Sequence, residues 1–366
     1  MTTATAVRAR PAAPVEPLYV TGAGVITAAG DGLEPLAELL RTDSELESSP
    51  LGDDAADYPR RPVRAVRDFD VKARLGRKGT KYLDRLTSLG LVACKELLEA
   101  DAGDAAPDRT GVVLATNTGS VSTHSTLLHD TLTMEKPYLV NPGRFPNTVM
   151  NSTSGQIAIR NGLRGLNATV AGGQSASLLA FRHARLALTL GRADRLLVGG
   201  VEELSAPAAW AWHRTGVLRE GAALGEGAAV FTVQRERPAG AVLAELLACE
   251  VRFTPDARSY ADGLADAITR ALGRSGVAAP DIAAVSLGAA HHRGLGRVEE
   301  RGLRRALGGS LPPRVLRVAD ALGETYSASG ALQLAALLAA GPAGISLVTS
   351  IGRDGNAAAM VVRCPA

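Results

Sequence analysis

The chain alternates short apolar runs with longer segments in which apolar residues recur every three or four positions. Short continuous runs are typical of buried strands, and the longer spacing is typical of helices that pack one face on a core. Strands are predicted at residues 18–25, 111–116, 167–171, 195–200, 228–233, 241–251, 282–287, 345–349 and 357–362. Helices are predicted at 33–40, 82–98, 119–135, 156–164, 260–275 and 329–340. The alternation predicts an α/β fold with mostly parallel strands.

The same alternation restarts near residue 240, which suggests two similar halves. Residues 1–17 are rich in Ala, Pro and Thr, and such a segment is expected to be a disordered tail. We therefore predict an N-terminal half over 18–240 and a C-terminal half over 241–366.

Residues 167–177 combine a predicted strand, a turn with two glycines and the start of an apolar helix. Such an elbow presents one side chain above a helix N-terminus, where the helix dipole favours an anion. Gln174 occupies that position. A cysteine there would become a thiolate, whereas a carboxamide neither ionises nor attacks near neutral pH. Ser175 has no evident base beside it, so the elbow is predicted to lack a nucleophile.

Composition excludes several classes of function. Hydrophobic residues make up 46% of the 366 and aromatic residues only 4%, which favours Ala, Leu and Val packing between helices and sheet. The net charge of +3 is too small to indicate nucleic acid. Cys94, Cys249 and Cys364 have no paired spacing, so neither a disulfide nor a zinc framework is expected. Lacking a signal peptide and a membrane span, the protein is expected to be cytoplasmic.

Several motifs follow one another in a constant order along the chain. They are the first strand at 19–25, the segments 146–148 and 154–165 before the elbow, Gly-Gly-Val-Glu-Glu at 199–203, and Leu-Gly-Glu-Gly-Ala-Ala-Val at 224–230. Together these motifs resemble the β-ketoacyl synthases of the thiolase fold, from about Tyr19 to Val362. The resemblance implies a thiolase-like α/β fold of two similar α-β-α-β-α halves in five layers, with no cofactor.

The departures from the family pattern concern the catalytic residues. Catalytic members use a cysteine that carries the acyl chain and two histidines that stabilise the oxyanion and the enolate formed when malonyl thioester loses carbon dioxide. Here Gln174 replaces the cysteine, Glu324 stands where one histidine is expected, and Gly288 lies near the position of the other. A carboxylate beside a developing enolate would repel it. These three positions are therefore predicted to be degenerate, leaving no catalytic residue.

Two histidines follow the strand at 282–287 and fit the missing histidine position only if that loop is shifted. His291 and His292 are expected to form an exposed loop pair with divergent side chains, which argues against a shared metal. The other histidines have no ligand spacing, and no metal site is expected; they are His124, His129, His183 and His213.

Gln in the elbow together with missing histidines resembles the chain-length factor (the ketosynthase β subunit) of type II polyketide synthases. That resemblance implies a subunit with no turnover of its own. It also implies an active ketosynthase partner in a heterodimer and an acyl carrier protein with a phosphopantetheine-bound chain. The complex would extend a polyketide or polyene chain, and a tunnel at the dimer interface would set its length.

The resemblance also places the tunnel and the interface. The helix at 119–135 projects side chains towards the tunnel end, and an ordinary amphipathic helix on its own core is the alternative. The candidate tunnel residues are Val121, His124, Ser125, Leu128 and Leu132. The strand before the elbow is expected to pair with its counterpart in the partner, through Asn167, Ala168, Thr169 and Val170. Ten cations within residues 60–85 are candidates for steering an acidic carrier protein, or form a solvated charged face.

Three alternative functions remain open. Some ketosynthases with Gln in place of Cys decarboxylate malonyl-carrier protein to make starter units, but they keep both histidines, and Glu324 argues against this function. A homodimeric pseudoenzyme that holds acyl-carrier cargo is the second alternative. A condensing enzyme with a relocated cysteine is the third, although none of the three cysteines lies in an elbow.

Overall fold

The computed structural model describes residues 14–42, 46, 57–100 and 106–365. Most of the predicted tail at 1–17 lies outside the described residues. The strands are β1 (Leu18–Thr27), β2 (Gly30–Asp31), β3 (Val63–Arg64), β4 (Thr110–Ala115), β5 (Asn167–Val170), β6 (Arg195–Glu202), β7 (Leu224–Gly225), β8 (Gly227–Gln234), β9 (Ala244–Phe253), β10 (Ile282–Ser286), β11 (Arg314–Leu316), β12 (Gly344–Ile351) and β13 (Asn356–Cys364).

Helices separate most of these strands. They are α1 (Leu33–Thr42), α2 (Val71–Leu75), α3 (Arg85–Ala100), α4 (Val121–Thr133), α5 (Ser152–Arg160), α6 (Ala176–Thr189), α7 (Ala206–Thr215), α8 (Tyr260–Ser275), α9 (Leu295–Ala306), α10 (Val318–Leu322) and α11 (Ser329–Ala340). Within the described residues, no helix is both long enough and apolar enough to cross a membrane.

One large sheet runs through the described residues in the order β11-β10-β12-β13-β9-β1-β8-β6-β4-β5, with β2 added to β1. Outwards from the β1–β9 junction, the strands of each half follow the same order in chain numbering. The N-terminal half has the order β1-β8-β6-β4-β5 and the C-terminal half the order β9-β13-β12-β10-β11. With the short strands β2, β3 and β7 left out, each half thus places its first, fifth, fourth, second and third strands side by side. This repeated order is the structural form of the two similar halves.

The strands of this sheet run in mixed directions, so the expectation of a mostly parallel sheet is wrong. Pairs β4–β5, β4–β6, β10–β11 and β10–β12 are parallel, whereas β1–β8, β6–β8, β9–β13 and β12–β13 are antiparallel. The four residues between β12 and β13 are too few for a crossover, and a short connection permits only an antiparallel pair.

Helices and sheet halves stack in five layers. The central helices α6 and α11 contact each other and both halves of the sheet, while α3 and α5 cover the outer face of the N-terminal half. Helices α8 and α9 cover the outer face of the C-terminal half. This is the thiolase-like α/β fold, and it leaves the ends of α6 and α11 in the middle of the molecule.

Two helix predictions need correction. The helix predicted at 156–164 is Ser152–Arg160, because the turn that ends it at Gly162 has a positive φ of 63°. Helix α9 was not predicted, since only a few apolar residues of its charged sequence mark a buried face.

Candidate functional site

The elbow has the geometry that its sequence predicts. Strand β5 leads into a single tight turn over Gly173–Ser175, after which α6 begins. Gly173 has a φ of 58°, and a Cβ there would lie 2.9 Å from a carboxylate oxygen of Asp354, so only glycine fits. Gln174 is consequently directed inwards, and it is only 3% exposed.

Gln174 uses its side-chain amide to join two other segments. Its Nε2 donates to a carboxylate oxygen of Glu324 at 3.0 Å and to the carbonyl oxygen of Gly288 at 3.3 Å. Among the described residues its Oε1 has no partner. The structure therefore brings together the three positions that the sequence compares with the catalytic residues.

Glu324 is a buried carboxylate with a complete set of hydrogen-bond donors. Besides Gln174, it accepts from the backbone N–H of Tyr326 at 2.7 Å and contacts His292 Nε2 at 2.9 Å. Burial alone would raise the pKa of Glu324, but the interaction with His292 and these hydrogen bonds hold it below its usual value of 4.5. The site therefore holds a negative charge at the position where the sequence comparison expects a histidine.

His291 and His292 are not an exposed pair, and that expectation is wrong. They are 5% and 6% exposed because their loop pairs with the segment before β7: the N–H of Arg219 donates to the carbonyl of His291, and Leu218 bridges His292. The imidazoles diverge, since Nε2 of His291 contacts Asp320 at 3.0 Å. That contact holds the pKa of Asp320 below its usual range.

Gly288 leaves no room for a larger side chain. A Cβ on it would approach the carbonyl oxygen of Thr349 at 2.9 Å. Its N–H and that of Ala289 donate to the buried carboxylate of Glu299 at 3.0 and 2.8 Å, and burial raises the pKa of Glu299. A histidine at this position would require the backbone to move.

A third buried carboxylate, that of Glu202, connects the elbow to the start of α4. Glu202 accepts from the N–H of Asn117 at 2.6 Å and from the hydroxyl of Thr118 at 2.5 Å. Asn117 in turn accepts from the N–H of Gly173 at 2.8 Å and donates to the hydroxyl of Tyr326 at 3.0 Å. Asn117 thus joins the loop before α4 by hydrogen bonds to the turn that holds Gln174.

This arrangement is a buried polar network with an amide at its centre. The hydroxyls of Ser175 and Ser350 are hydrogen-bonded at 3.1 Å. All three cysteines are buried, and burial raises the pKa of Cys94 and Cys249 to about 12 and that of Cys364 to about 11. The described residues contain no cluster of His, Cys, Asp or Glu suited to a metal ion.

Comparison with protein families identifies the fold's family. The model of the beta-ketoacyl synthase N-terminal domain matches residues 15–239, more than half of the chain. The chain belongs to the β-ketoacyl synthase family.

Individual family members show how far the likeness extends. The 3-oxoacyl-(acyl-carrier-protein) synthase 2 of Vibrio cholerae is 25% identical over 331 residues, which are 82% of this chain and 79% of that protein. The ishigamide ketosynthase/chain length factor structure is 32% identical with a TM-score of 0.84, covering 96% of this chain and all of that one. A type II polyketide synthase ketosynthase in complex with its acyl carrier protein, AntDE:AntF, shares the fold at 16% identity and a TM-score of 0.78, over 96% and 100% of the two chains.

In this member of the β-ketoacyl synthase family, α4 is exposed on the face that the sequence singles out. His124, Ser125, Leu128 and Leu132 are exposed, with Leu128 at 54% and Leu132 at 84%, and Val121 is partly buried. No residue of α4 is buried. This face therefore projects outwards, while α4 contacts α7 and the turns at 137–139 and 142–148 of its own chain.

Strand β5 is the terminal strand of the N-terminal half of the sheet. It pairs with β4 on one side, from Asn167 to Val170, and no other described strand covers its outer edge. An open edge of this kind is suited to pairing with another chain.

Internal contacts occupy part of the basic segment at 60–85. Arg85 pairs with buried Glu226 at 2.6 Å, Arg74 pairs with Asp31, and Arg61 donates to two backbone carbonyls. The exposed cations of the segment are Arg60, Arg67, Lys72, Arg77, Lys78 and Lys81.

Sequence reasoning missed two contributors to the site. Trp212 on α7 packs edge-on against the rings of His292 and Tyr326, at centroid distances of 5.8 and 5.0 Å. Neither Trp212 nor Asn117 belongs to a motif with characteristic spacing. Only the strand–loop position of Asn117 after β4 could have suggested a polar role.

Proposed function

We propose that this chain is a catalytically inactive chain-length-factor subunit of a type II polyketide synthase. It pairs with an active ketosynthase and shapes the tunnel that sets the length of the polyketide or polyene chain. The observation that carries the proposal is the hydrogen bond from Gln174 to Glu324. In this pair an amide stands at the proposed acylation position, and a carboxylate stands where an enolate would need positive charge.

Two further observations support this role. The ishigamide ketosynthase/chain length factor structure is similar over nearly the whole chain at 32% identity. In addition, the crowding at Gly288 prevents a side chain from entering the position where the second histidine is expected. Crowding at this position is expected in a subunit that no longer needs a catalytic histidine there.

The proposal assigns roles to α4 and β5. The exposed side of α4 lines the end of the tunnel, through Val121, His124, Ser125, Leu128 and Leu132. Strand β5 pairs with the partner through Asn167, Ala168, Thr169 and Val170. An acyl carrier protein delivers the growing chain, as the AntDE:AntF complex joins a carrier protein to a ketosynthase.

The experiment compares the chain alone with the chain co-expressed beside candidate ketosynthases that carry Cys and both histidines. We expect a one-to-one heterodimer on size exclusion, and chain extension from malonyl-carrier protein only when the partner is present. Gln174→Ala in this chain should leave condensation intact, whereas replacing the partner's cysteine should abolish it.

Two results would contradict the proposal and identify the alternatives. Carbon dioxide release from malonyl-carrier protein by the chain alone, lost in Gln174→Ala, would indicate a starter-unit decarboxylase. A stable homodimer that binds carrier protein and ignores every ketosynthase would indicate a cargo-holding pseudoenzyme.

A further inference from the structure

Three arginines gather beside the last residue of β5. Arg182 and Arg185 belong to α6, and Arg274 lies in the last turn of α8. All three line a cavity of about 380 Å³, and Val170 at the end of β5 lines it as well. Helix α6 contacts β5, so this cavity lies next to the sheet edge that no other described strand covers. We call the three side chains the α6 arginine cluster.

One carboxylate compensates this cluster in part. Glu250, which is 8% exposed, accepts from a guanidinium nitrogen of Arg274 at 3.0 Å. Arg185 donates to the backbone carbonyls of Glu16 and Leu246, and neither contact neutralises its charge. Burial lowers the pKa of Arg185, and the neighbouring charge of Arg274 lowers it further. Three arginines against one carboxylate leave two positive charges in excess around the cavity.

Arg182 extends the cluster to the protein surface. It is exposed, and within the described residues it makes no hydrogen bond and no ion pair. Leu186 lies one turn further along the same side of α6 and is 57% exposed. An exposed apolar side chain next to an arginine is typical of a surface that another protein covers.

A second copy of this chain does not suit this surface. A copy that extended the sheet from β5 would be related to the first by a two-fold axis, so each copy would present its own α6 arginine cluster to the other. Like charges brought together at an interface weaken it strongly. A different chain with carboxylates at the facing positions would instead be attracted, because a guanidinium group binds a carboxylate through two parallel N–H donors.

We infer that the α6 arginine cluster selects a different chain over a second copy, and that the ketosynthase partner faces it with Asp or Glu side chains. A carboxylate of the partner thus occupies the cavity beside β5. The inference rests on the proposed function for the identity of the partner, and it adds the chemistry of the surface that the partner must carry. Candidate ketosynthases can therefore be ranked by the acidic residues on the helix that follows their own nucleophile.

The first measurement is self-association of the purified chain. Sedimentation of two differently labelled copies should show weak pairing between wild-type chains. Arg182→Glu reverses the exposed charge of the cluster, and it should bind wild-type copies at least about tenfold more tightly than wild-type copies bind each other. Arg301→Glu is the matched control, because Arg301 is exposed on α9 and lies outside the cavity. It should change self-association by less than about twofold.

The second measurement is titration of the same variants with the purified ketosynthase that forms the heterodimer. Arg182→Glu should weaken heterodimer formation by about tenfold or more at low ionic strength, and by less at high ionic strength, where the charges are screened. Arg182→Gln removes the charge without reversing it, so its affinity should lie between those of the wild type and Arg182→Glu. Arg301→Glu should bind like the wild type. Thermal unfolding checks that each variant folds.

Three results would overturn the inference. The first is pairing of wild-type copies with each other as tightly as with the ketosynthase, and the second is unchanged affinity of Arg182→Glu for the ketosynthase. The third is an equal loss in Arg301→Glu, which would mean that net charge acts rather than the cluster. If no candidate ketosynthase binds the wild type, the proposed function fails instead, and self-association alone then decides whether the cluster prevents pairing between copies.

Discussion

The side-chain amide of Gln174 donates a hydrogen bond to the carboxylate of Glu324 at 3.0 Å, inside a site from which water is largely excluded. The sequence comparison sets these two residues against the nucleophile and a histidine of the family pattern, and their hydrogen bond stabilises both buried side chains. The amide satisfies a buried carboxylate, and the carboxylate fixes the amide. The pair is therefore a structural unit rather than two unrelated losses.

Restoring cysteine alone should not restore a reactive thiol. In Gln174→Cys the helix N-terminus of α6 favours the thiolate, but the adjacent Glu324 carboxylate disfavours it. We expect Gln174→Cys with Glu324→Gln to have a thiol pKa lower by about one unit or more than Gln174→Cys alone. Ultraviolet absorbance of the thiolate as a function of pH measures the difference.

The wild-type protein is the control for that titration. Its three cysteines are buried and their thiol pKa values are raised to about 11 and 12, so they contribute little near neutral pH. Equal pKa values of the introduced thiol in the single and double variants would show that Glu324 does not control the electrostatics of the elbow.

Removing His292 alone should destabilise the fold more than removing His292 together with the charge of Glu324. His292→Ala leaves the buried carboxylate of Glu324 without its main compensating contact, which typically costs about 3–5 kcal/mol. Adding Glu324→Gln removes that charge and should recover most of the loss. Urea unfolding of both single variants and the double variant at pH 7 gives the coupling energy, and additive effects would contradict the pairing.

Glu203 should make stability fall as pH rises towards 8. Burial raises its pKa from 4.5 to about 8, and repulsion from Asp84 and Glu226 adds to this, against the hydrogen bond from the N–H of Ser122. Because the folded pKa exceeds the unfolded one, the folded state keeps the proton that the unfolded state releases. Its contribution is therefore complete below pH 4.5 and is lost as pH rises through 8.

The comparison for this pH effect is Glu203→Gln, with the exposed Glu220→Gln as the control. The free energy of unfolding of the wild type should decline relative to Glu203→Gln between pH 5 and 8, while Glu220→Gln should follow the wild type. A difference between wild type and Glu203→Gln that does not vary with pH would mean that the carboxyl ionises normally.

The sequence was sufficient for the elbow and for the convergence of Gln174, Glu324 and Gly288, because motif order reports which strand ends meet at the centre of this fold. It was not sufficient for His292. That side chain reaches Glu324 only because its loop pairs with residues 217–219, a contact between segments more than seventy positions apart. Local sequence patterns do not predict such long-range pairing. Helix α9 was not predicted for a related reason, because only its tertiary contacts show which of its faces is buried.

Bulky substitutions on the exposed side of α4 should shorten the product made by the heterodimer. His124→Phe adds volume towards the proposed tunnel without disturbing a core, so stability should change by less than about 0.5 kcal/mol. Val121→Phe and Leu128→Trp should act in the same direction. Thr133→Phe is the matched control, because Thr133 is exposed on α4 and does not lie three or four residues from any candidate tunnel residue. Mass spectrometry of the released chains measures the length.

Loss of product in all of these variants, rather than shortening, would indicate a damaged interface. Unchanged length in all three tunnel variants would remove α4 from the tunnel while leaving the proposed subunit role intact.

The free edge of β5 should be sensitive to loss of a single backbone donor. The carbonyls of Leu166 and Val170 accept from β4, and alternate residues of a parallel strand direct their backbone groups to the same side. Thr169 therefore points its N–H away from β4, towards the open edge. Thr169→Pro removes that N–H and should weaken heterodimer formation by about tenfold, the order expected for a hydrogen bond at an interface.

Thr169→Val is the control that isolates the backbone effect. It retains the N–H but, like the proline variant, loses the hydroxyl contact with Ser154 at 2.8 Å. Titration of each variant with the purified ketosynthase, alongside thermal unfolding of the chain alone, separates pairing from folding. If proline and valine bind the partner equally well, β5 is not the pairing strand, and the interface must be sought on the exposed side of α4 instead.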